Sequence, residues 1–91
     1  MYDNYLITVV KAKYLGDYKI QIKFSNGEER IVDMEPELWG EVFEPLRDKH
    51  VFEQFKVDEE LGTIVWPNGA DYAPYSLYDI GKTIQELTKV N

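Results

Sequence analysis

The sequence predicts an α+β fold: a three-stranded antiparallel sheet, short central helices, a second β-hairpin and a C-terminal helix. Apolar and polar residues alternate strictly over residues 18–24, which is the pattern of a strand buried on one face. An apolar seam at helical spacing over residues 76–89 predicts the final helix. The 91 residues, 44% of them apolar, suit one domain spanning residues 1–91.

The turn chemistry predicts how the second and third strands pair. Asn26-Gly27 is the preferred pair for a two-residue type I′ turn, because both positions need a positive φ. That turn places Ile22 opposite Ile31, and their neighbours Lys23 and Arg30 opposite each other.

The first strand is predicted over residues 5–14. A two-residue loop after it would carry Lys13 onto the core face, so the hydrophobic pattern selects a three-residue loop at 15–17, which pairs Ala12 with Ile20. The core face then consists of Leu6, Val10, Ala12, Tyr18, Ile20, Ile22, Phe24 and Ile31.

The opposite face of this sheet is predicted to be basic. It gathers half of the basic residues of the chain: Lys11, Lys13, Lys19, Lys23 and Arg30. We expect a solvated or partly helix-covered outer face. Nucleic acid, an acidic protein or a neighbouring copy are the alternatives, although no aromatic side chain lies there to stack on bases.

Short helices and a second hairpin are predicted for the middle of the chain. Pro36 suits a first helical position, and Asp48 suits the N-cap of a second short helix. The apolar residues between them have the spacing of a buried helical stripe: Leu38, Trp39, Val42 and Phe43. The hairpin has strands at 55–58 and 63–66.

The C-terminal helix is predicted over residues 76–89. Ser76 and Asp79 have the spacing of a capping box at its start. Four residues form its apolar seam: Leu77, Ile80, Ile84 and Leu87. We expect this seam to pack on the sheet, with a dimer or partner seam as the alternative.

The composition disfavours several kinds of chemistry. There is no cysteine for a disulfide or thiolate site, and His50, the only histidine, has no partner at a metal-ligand spacing. Neither serine lies in a nucleophile elbow and no glycine-rich phosphate loop occurs, so we expect no enzyme activity, metal or cofactor. The net charge of −7 and the lack of a ~20-residue apolar run favour a cytoplasmic protein that avoids membranes and direct contact with nucleic acid.

The negative charge is concentrated in the middle of the chain. Residues 28–60 contain twelve acids against four bases. The spacing of a calcium loop is missing, so a solvated surface or a patch for a protein partner is favoured over a metal site.

Residues 63–78 are the most distinctive stretch. Four aromatic residues lie within thirteen positions, around an Asn-Gly turn. We expect them to staple the final helix onto the sheet; a pocket or a protein-binding hot spot is the alternative. The candidate interaction residues are Trp66, Asn68, Asp71, Tyr72 and Tyr78.

Three blocks of this sequence resemble one family in order and spacing: FSNGE at 24–28, FEPLRD at 43–48 and IVWPNGAD at 64–71. The chain is similar over residues 6–78 to the bacterial domain-of-unknown-function family 2442 (DUF 2442). The resemblance implies a small α+β protein, in some members attached to a helix-turn-helix domain, and a gene arrangement suggestive of toxin–antitoxin pairs. It implies no catalytic residue.

These observations lead us to expect a non-enzymatic protein-interaction module, the antitoxin-like half of a pair, that binds a partner protein or a second copy of itself. Two alternatives come from other classes. One is a ligand-binding protein or enzyme with a pocket near Trp66, Asp71 and Tyr78. The other is a nucleic-acid accessory protein that uses the basic sheet face.

Overall fold

The computed structural model describes residues 6–83 and has the predicted α+β architecture. A three-stranded antiparallel sheet has the order β1-β2-β3, and a separate two-stranded sheet pairs β4 with β5. The strands are β1 (Val9–Gly16), β2 (Lys19–Phe24), β3 (Glu29–Asp33), β4 (Lys56–Asp58) and β5 (Thr63–Val65). The helices are two 3₁₀ turns (Glu35–Glu37 and Glu44–Arg47), α1 (Lys49–Phe52) and α2 (Pro74–Ile80).

The loop between β1 and β2 is one residue shorter than predicted. It consists of Asp17 and Tyr18, whose φ angles of 51° and 64° lie in the left-handed region that a type I′ turn requires. Tyr14 therefore pairs with Ile20, so the predicted register is wrong by two residues. Leu15 is an extra residue in β1, and this bulge keeps the lysines of the strand off the core face.

A second irregularity lies near the start of β1, between Val9 and Lys11. It places Val9 in the core at 3% exposure and leaves Val10 47% exposed, which reverses the predicted burial. Leu6, also predicted for the core, is 78% exposed. Two adjacent valines are equally hydrophobic, so the sequence pattern alone had no basis for choosing between them.

The turn between β2 and β3 contains three residues, 25–27, rather than the predicted two. The backbone amide of Phe24 donates to the carbonyl of Glu28 across it at 2.8 Å. Gly27 occupies the left-handed region at φ 89°, and the Asn26 side chain accepts from the amide of Glu28 at 3.0 Å. Asn26 and Gly27 do lie in the turn, but as the second and third residues of a three-residue loop rather than as the first and second residues of a two-residue loop.

This extra turn residue shifts the third strand by one position. Ile22 lies opposite Arg30 rather than Ile31, and Val32 replaces Ile31 in the core. Arg30 therefore lies on the core face of the sheet, which corrects the predicted basic face. Four lysines remain on the outer face: Lys11, Lys13, Lys19 and Lys23.

The two predicted helix starts in the middle of the chain are confirmed. Pro36 lies in the first turn of the 3₁₀ segment Glu35–Glu37. Asp48 is the N-cap of α1, and its side chain accepts from the amide of His50 at 2.9 Å. The His50 side chain is exposed.

The predicted apolar stripe between these two starts is wrong. Leu38 is buried and Phe43 is half-buried, but Trp39 and Val42 are exposed. Gly40 has φ 89°, which breaks the helical path, so residues 38–43 form turns instead of a helix.

The second hairpin is confirmed, with Val57 of β4 opposite Ile64 of β5. Asp58 fixes its turn, because its side chain accepts from the amides of Glu60 and Leu61 at 2.9 and 3.0 Å. The Asp58 carboxylate thus provides acceptors for two backbone amides in the turn, where the hydrogen bonds between β4 and β5 end.

The C-terminal helix is shorter than predicted and begins earlier. α2 spans Pro74–Ile80, with Pro74 in its first turn and Ala73 as an N-cap that makes no side-chain bond. Ser76 lies inside the helix, so the predicted capping box with Asp79 does not form. Within residues 6–83, no helix is long and apolar enough to cross a membrane.

The chain leaves α2 at Gly81 and pairs with the open edge of β3. Lys82 and Ile31 exchange two backbone hydrogen bonds, at 2.8 and 2.9 Å. A Cβ on Gly81 would lie 2.9 Å from the Cβ of Arg30, so the close approach requires glycine. The predicted helix to residue 89 is therefore wrong at 81–83, and Ile84 and Leu87 lie outside the described residues.

Trp66 is the largest side chain of the core and is 3% exposed. Its indole Nε1 donates to the carbonyl of Phe52 at 2.8 Å. Its ring packs against Phe52 and Phe55, with centroid distances of 5.6 and 6.1 Å. Trp66 thus joins the end of β5 to α1 through both packing and a hydrogen bond.

Replacing Trp66 with alanine should lower the free energy of unfolding by about 3–5 kcal/mol, because the change leaves a cavity. Trp39→Ala is the matched control and should change it by less than about 0.5 kcal/mol, since surface substitutions rarely do more. Urea unfolding of the two variants checks the pair. Equal losses of stability in both would contradict the placement of the two tryptophans.

Candidate functional site

Two large apolar side chains are exposed on one short segment of the surface. Trp39 is 73% exposed and Val42 is 50% exposed. Both belong to residues 38–43, here called the Trp39 loop. Tryptophan is enriched among the residues that dominate the energy of protein interfaces. The Trp39 loop is therefore the first candidate binding surface.

The backbone of the Trp39 loop is held in place from both ends. The Arg47 guanidinium donates to the carbonyl of Leu38 at 3.0 Å, and the Asn68 side chain donates to the carbonyl of Val42 at 2.9 Å. Leu38 is buried, and the ring of Phe43 packs against the aromatic core. These anchors fix the loop while its two apolar side chains face solvent.

Acidic residues accompany the loop in sequence and in space. Four of them lie between residues 35 and 44: Glu35, Glu37, Glu41 and Glu44. Glu41 and Glu44 line a shallow surface hollow of about 670 Å³ together with Gly40 and Pro45. The surface next to Trp39 therefore combines apolar contact area with negative charge.

Tyr72 connects this acidic region to the core. Its hydroxyl donates to a carboxylate oxygen of Glu37 at 2.7 Å, and its ring lies 5.8 Å from that of Phe43. Burial of the hydroxyl, together with its hydrogen bond to Glu37, raises the pKa of Tyr72 to about 12. At neutral pH the hydroxyl is a fixed donor that orients the carboxylate.

The predicted interaction residues do not form one common surface. Trp66 and Tyr78 are buried and belong to different aromatic clusters. Asn68 and Asp71 are exposed, and Tyr72 is half-buried. The structure thus brings Asn68 to the Trp39 loop, whereas the binding role of the five together stays a prediction.

The expected stapling of the last helix holds for Tyr78, through a polar network that sequence reasoning missed. The Tyr78 hydroxyl donates to Glu28 at 2.5 Å, and the same carboxylate accepts from Arg30 Nε at 2.9 Å. Arg30 also donates to the carbonyl of Tyr78 at 2.6 Å, and its guanidinium carbon lies 3.7 Å from the Tyr78 ring centroid. No pattern in the sequence pointed to this network, because the predicted register put Arg30 on the other face.

The outer face of the three-stranded sheet forms a second candidate surface. Lys11, Lys13 and Lys23 line a concavity of about 580 Å³ whose apolar lining includes Val10 and Val57. We call these five residues the lysine groove. Lys19, from the predicted basic face, does not line this groove.

Within residues 6–83, no group of three or more histidine or carboxylate side chains is placed to hold a metal ion. The described part of the chain presents two candidate binding surfaces, the acidic surroundings of the Trp39 loop and the lysine groove.

Glu28 should stabilise the folded protein at pH values above the ordinary pKa of its carboxyl group, and this stabilisation should be lost in acid. The hydrogen bond from Tyr78, and then that from Arg30, hold the pKa of Glu28 below its ordinary value of 4.5. The stability advantage of the wild type over Glu28→Gln should therefore be complete at neutral pH and shrink as the pH falls below 4.5. Urea unfolding over an acid pH series measures this difference, and an advantage that stays constant with pH would contradict it.

Tyr72 should show the opposite pH dependence. Since its pKa in the folded protein is about 12, against 10.0 ordinarily, its contribution to stability is complete below pH 10 and is lost as the pH rises towards 12. The amount by which the free energy of unfolding of the wild type exceeds that of Tyr72→Phe should therefore decrease as the pH rises from 10 towards 12. Denaturant unfolding of both proteins in alkaline buffers measures it, and a widening gap would contradict the bond to Glu37.

Comparisons with known proteins agree with the resemblance that the IVWPNGAD block indicated. The profile of the family described as "Protein of unknown function (DUF2442)" matches residues 9–83. The comparison with curated proteins found no match, and neither did the comparison with solved structures. Because the matched region covers most of the 91 residues, the chain belongs to the DUF2442 family of proteins of unknown function.

Proposed function

We propose that this protein is a non-enzymatic interaction module that binds a basic partner protein through the Trp39 loop. The observation that carries the proposal is a 73% exposed tryptophan on a loop whose backbone is fixed at both ends. A fixed loop loses little conformational entropy on binding, so most of the gain from burying Trp39 contributes to affinity.

Negative charge around the loop defines the chemistry of the partner. Residues 28–60 carry twelve acids against four bases; Glu41 belongs to the Trp39 loop and Glu44 follows it directly. A complementary surface presents an apolar pocket for Trp39 with lysine or arginine at its rim. Such charges act mainly on association rate and specificity, so we expect binding to weaken as the salt concentration rises.

An antitoxin-like pairing with a small basic protein is the specific form of this proposal. It rests on the gene arrangement that the family resemblance implies. The two alternative functions have less support. Trp66 and Tyr78 are packed in the core, so they do not line an open ligand pocket. The basic face that would bind nucleic acid lacks Arg30, because Arg30 lies on the core face of the sheet.

The test starts from a pull-down with the tagged protein from its native lysate after nuclease treatment. The wild type should retain a small basic protein at near-equal stoichiometry, identified by mass spectrometry. Trp39→Ala should then weaken binding of the purified partner by roughly 30-fold or more in a calorimetric titration, as expected when a hot-spot tryptophan is truncated.

Leu6→Ala is the matched control, because Leu6 is 78% exposed and lies outside the Trp39 loop. It should leave the affinity for the purified partner unchanged. Glu41→Lys combined with Glu44→Lys should slow association and reduce its dependence on salt. Equal affinity of the wild type and Trp39→Ala for the same partner would rule out the Trp39 loop as the binding surface.

A further inference from the structure

A groove runs along the outer face of the three-stranded sheet towards the turn of the second hairpin. Its first part is the lysine groove of about 580 Å³. Val10 and Val57 also line a neighbouring hollow of about 340 Å³, which extends to Glu59 and Gly62. Because the two hollows share these valines, they form one continuous surface from the lysines to the hairpin turn.

The hairpin turn at the far end of this surface carries the opposite charge. Glu59 and Glu60 are exposed, and Leu61 between β4 and β5 is 57% exposed. The side chain of Asp58 accepts from the amides of Glu60 and Leu61, which fixes the backbone of the turn. The side chains of Glu59, Glu60 and Leu61 are thus exposed to solvent on a turn whose backbone is held by hydrogen bonds.

The lysines at the other end carry an unfavourable charge arrangement. Lys11 lies directly opposite Lys23 on neighbouring strands, and like charges in that position are destabilising. Glu29 lies directly opposite Lys23 on β3, also lines the groove and accepts from the Gln21 side chain at 2.8 Å, so it offsets part of this charge. Three lysines against this one carboxylate leave the groove positive. Carboxylates supplied from outside would relieve the repulsion between the lysines.

We propose that this groove and the adjoining hairpin turn form a self-complementary surface through which two copies of the chain make a symmetric dimer. In a two-fold arrangement the turn of each copy enters the groove of the other. Glu59 and Glu60 of one protomer then face the lysines of its partner, while Leu61 covers the apolar floor of the partner's groove.

A second copy fits this surface better than a separate acidic protein. The groove and the turn carry opposite charges side by side, and a patch with that layout is matched by its own inverted copy. The net charge of −7 makes two copies repel at long range, so association depends on these local contacts.

Sedimentation equilibrium over a wide range of protein concentrations tests the proposal with the full chain. The wild type should self-associate as a monomer–dimer system. Lys11→Glu combined with Lys13→Glu should raise the dissociation constant by about tenfold or more, since attraction at several charge pairs becomes repulsion. Glu59→Lys with Glu60→Lys should do the same, and an equimolar mixture of the two double variants should form a heterodimer.

Lys19→Glu with Lys82→Glu is the matched control, because it makes the same charge change at exposed lysines outside the groove. It should dimerise like the wild type, and far-UV circular dichroism should show all variants folded. A wild type that stays monomeric at every concentration would overturn the proposal and leave the groove to an acidic segment of another protein. A dimer that withstands both double variants, or a mixture that fails to associate, would also overturn it.

Discussion

Side chains of a strand alternate between the two faces of a sheet, and the lysine groove depends on how this protein preserves that alternation in β1. Two irregularities in β1 insert extra residues at Val10 and Leu15. Without them, the tight Asp17-Tyr18 turn would rotate lysines into the core. The irregularities allow a short turn, a continuous apolar core and a row of outward lysines to coexist in one strand. The basic outer face is a consequence of this local backbone geometry as much as of composition.

The sequence predicted the elements better than their registers. The alternation over β2, the position of Pro36 and the Asp48 cap are local signals, and each led to the right structure. Bulges and a third turn residue leave no such signal, since they are decided by how whole strands fit the core. The Trp39 loop was missed because its helical spacing suggested burial, whereas the 3₁₀ segment ends at Glu37 and Gly40 adopts a φ of 89°.

Arg30 shows what a one-residue shift demands of the surrounding structure. A guanidinium on the core face needs hydrogen bonds and a counter-charge, because an unpaired buried charge is costly. Glu28 and Tyr78 provide both, and Gly81 allows the following chain to pass close to Cβ of Arg30. Arg30, which the sequence placed on the basic outer face, thus joins the β2–β3 hairpin to α2. The one-residue shift of β3 removes a positive charge from the outer face of the sheet and adds hydrogen bonds on the core face.

The two tryptophans occupy opposite environments, which gives the protein two separate intrinsic fluorophores. Trp66 is 3% exposed within a cluster of phenylalanines, and Trp39 is 73% exposed. Emission from Trp66 is expected to be blue-shifted and protected from aqueous quenchers, and to move to longer wavelength on unfolding. Emission from Trp39 is expected to resemble that of a solvated indole, and therefore to change little on unfolding but to respond when a partner covers the loop. One chain without added label can therefore report its own stability and its surface contacts in different parts of one spectrum.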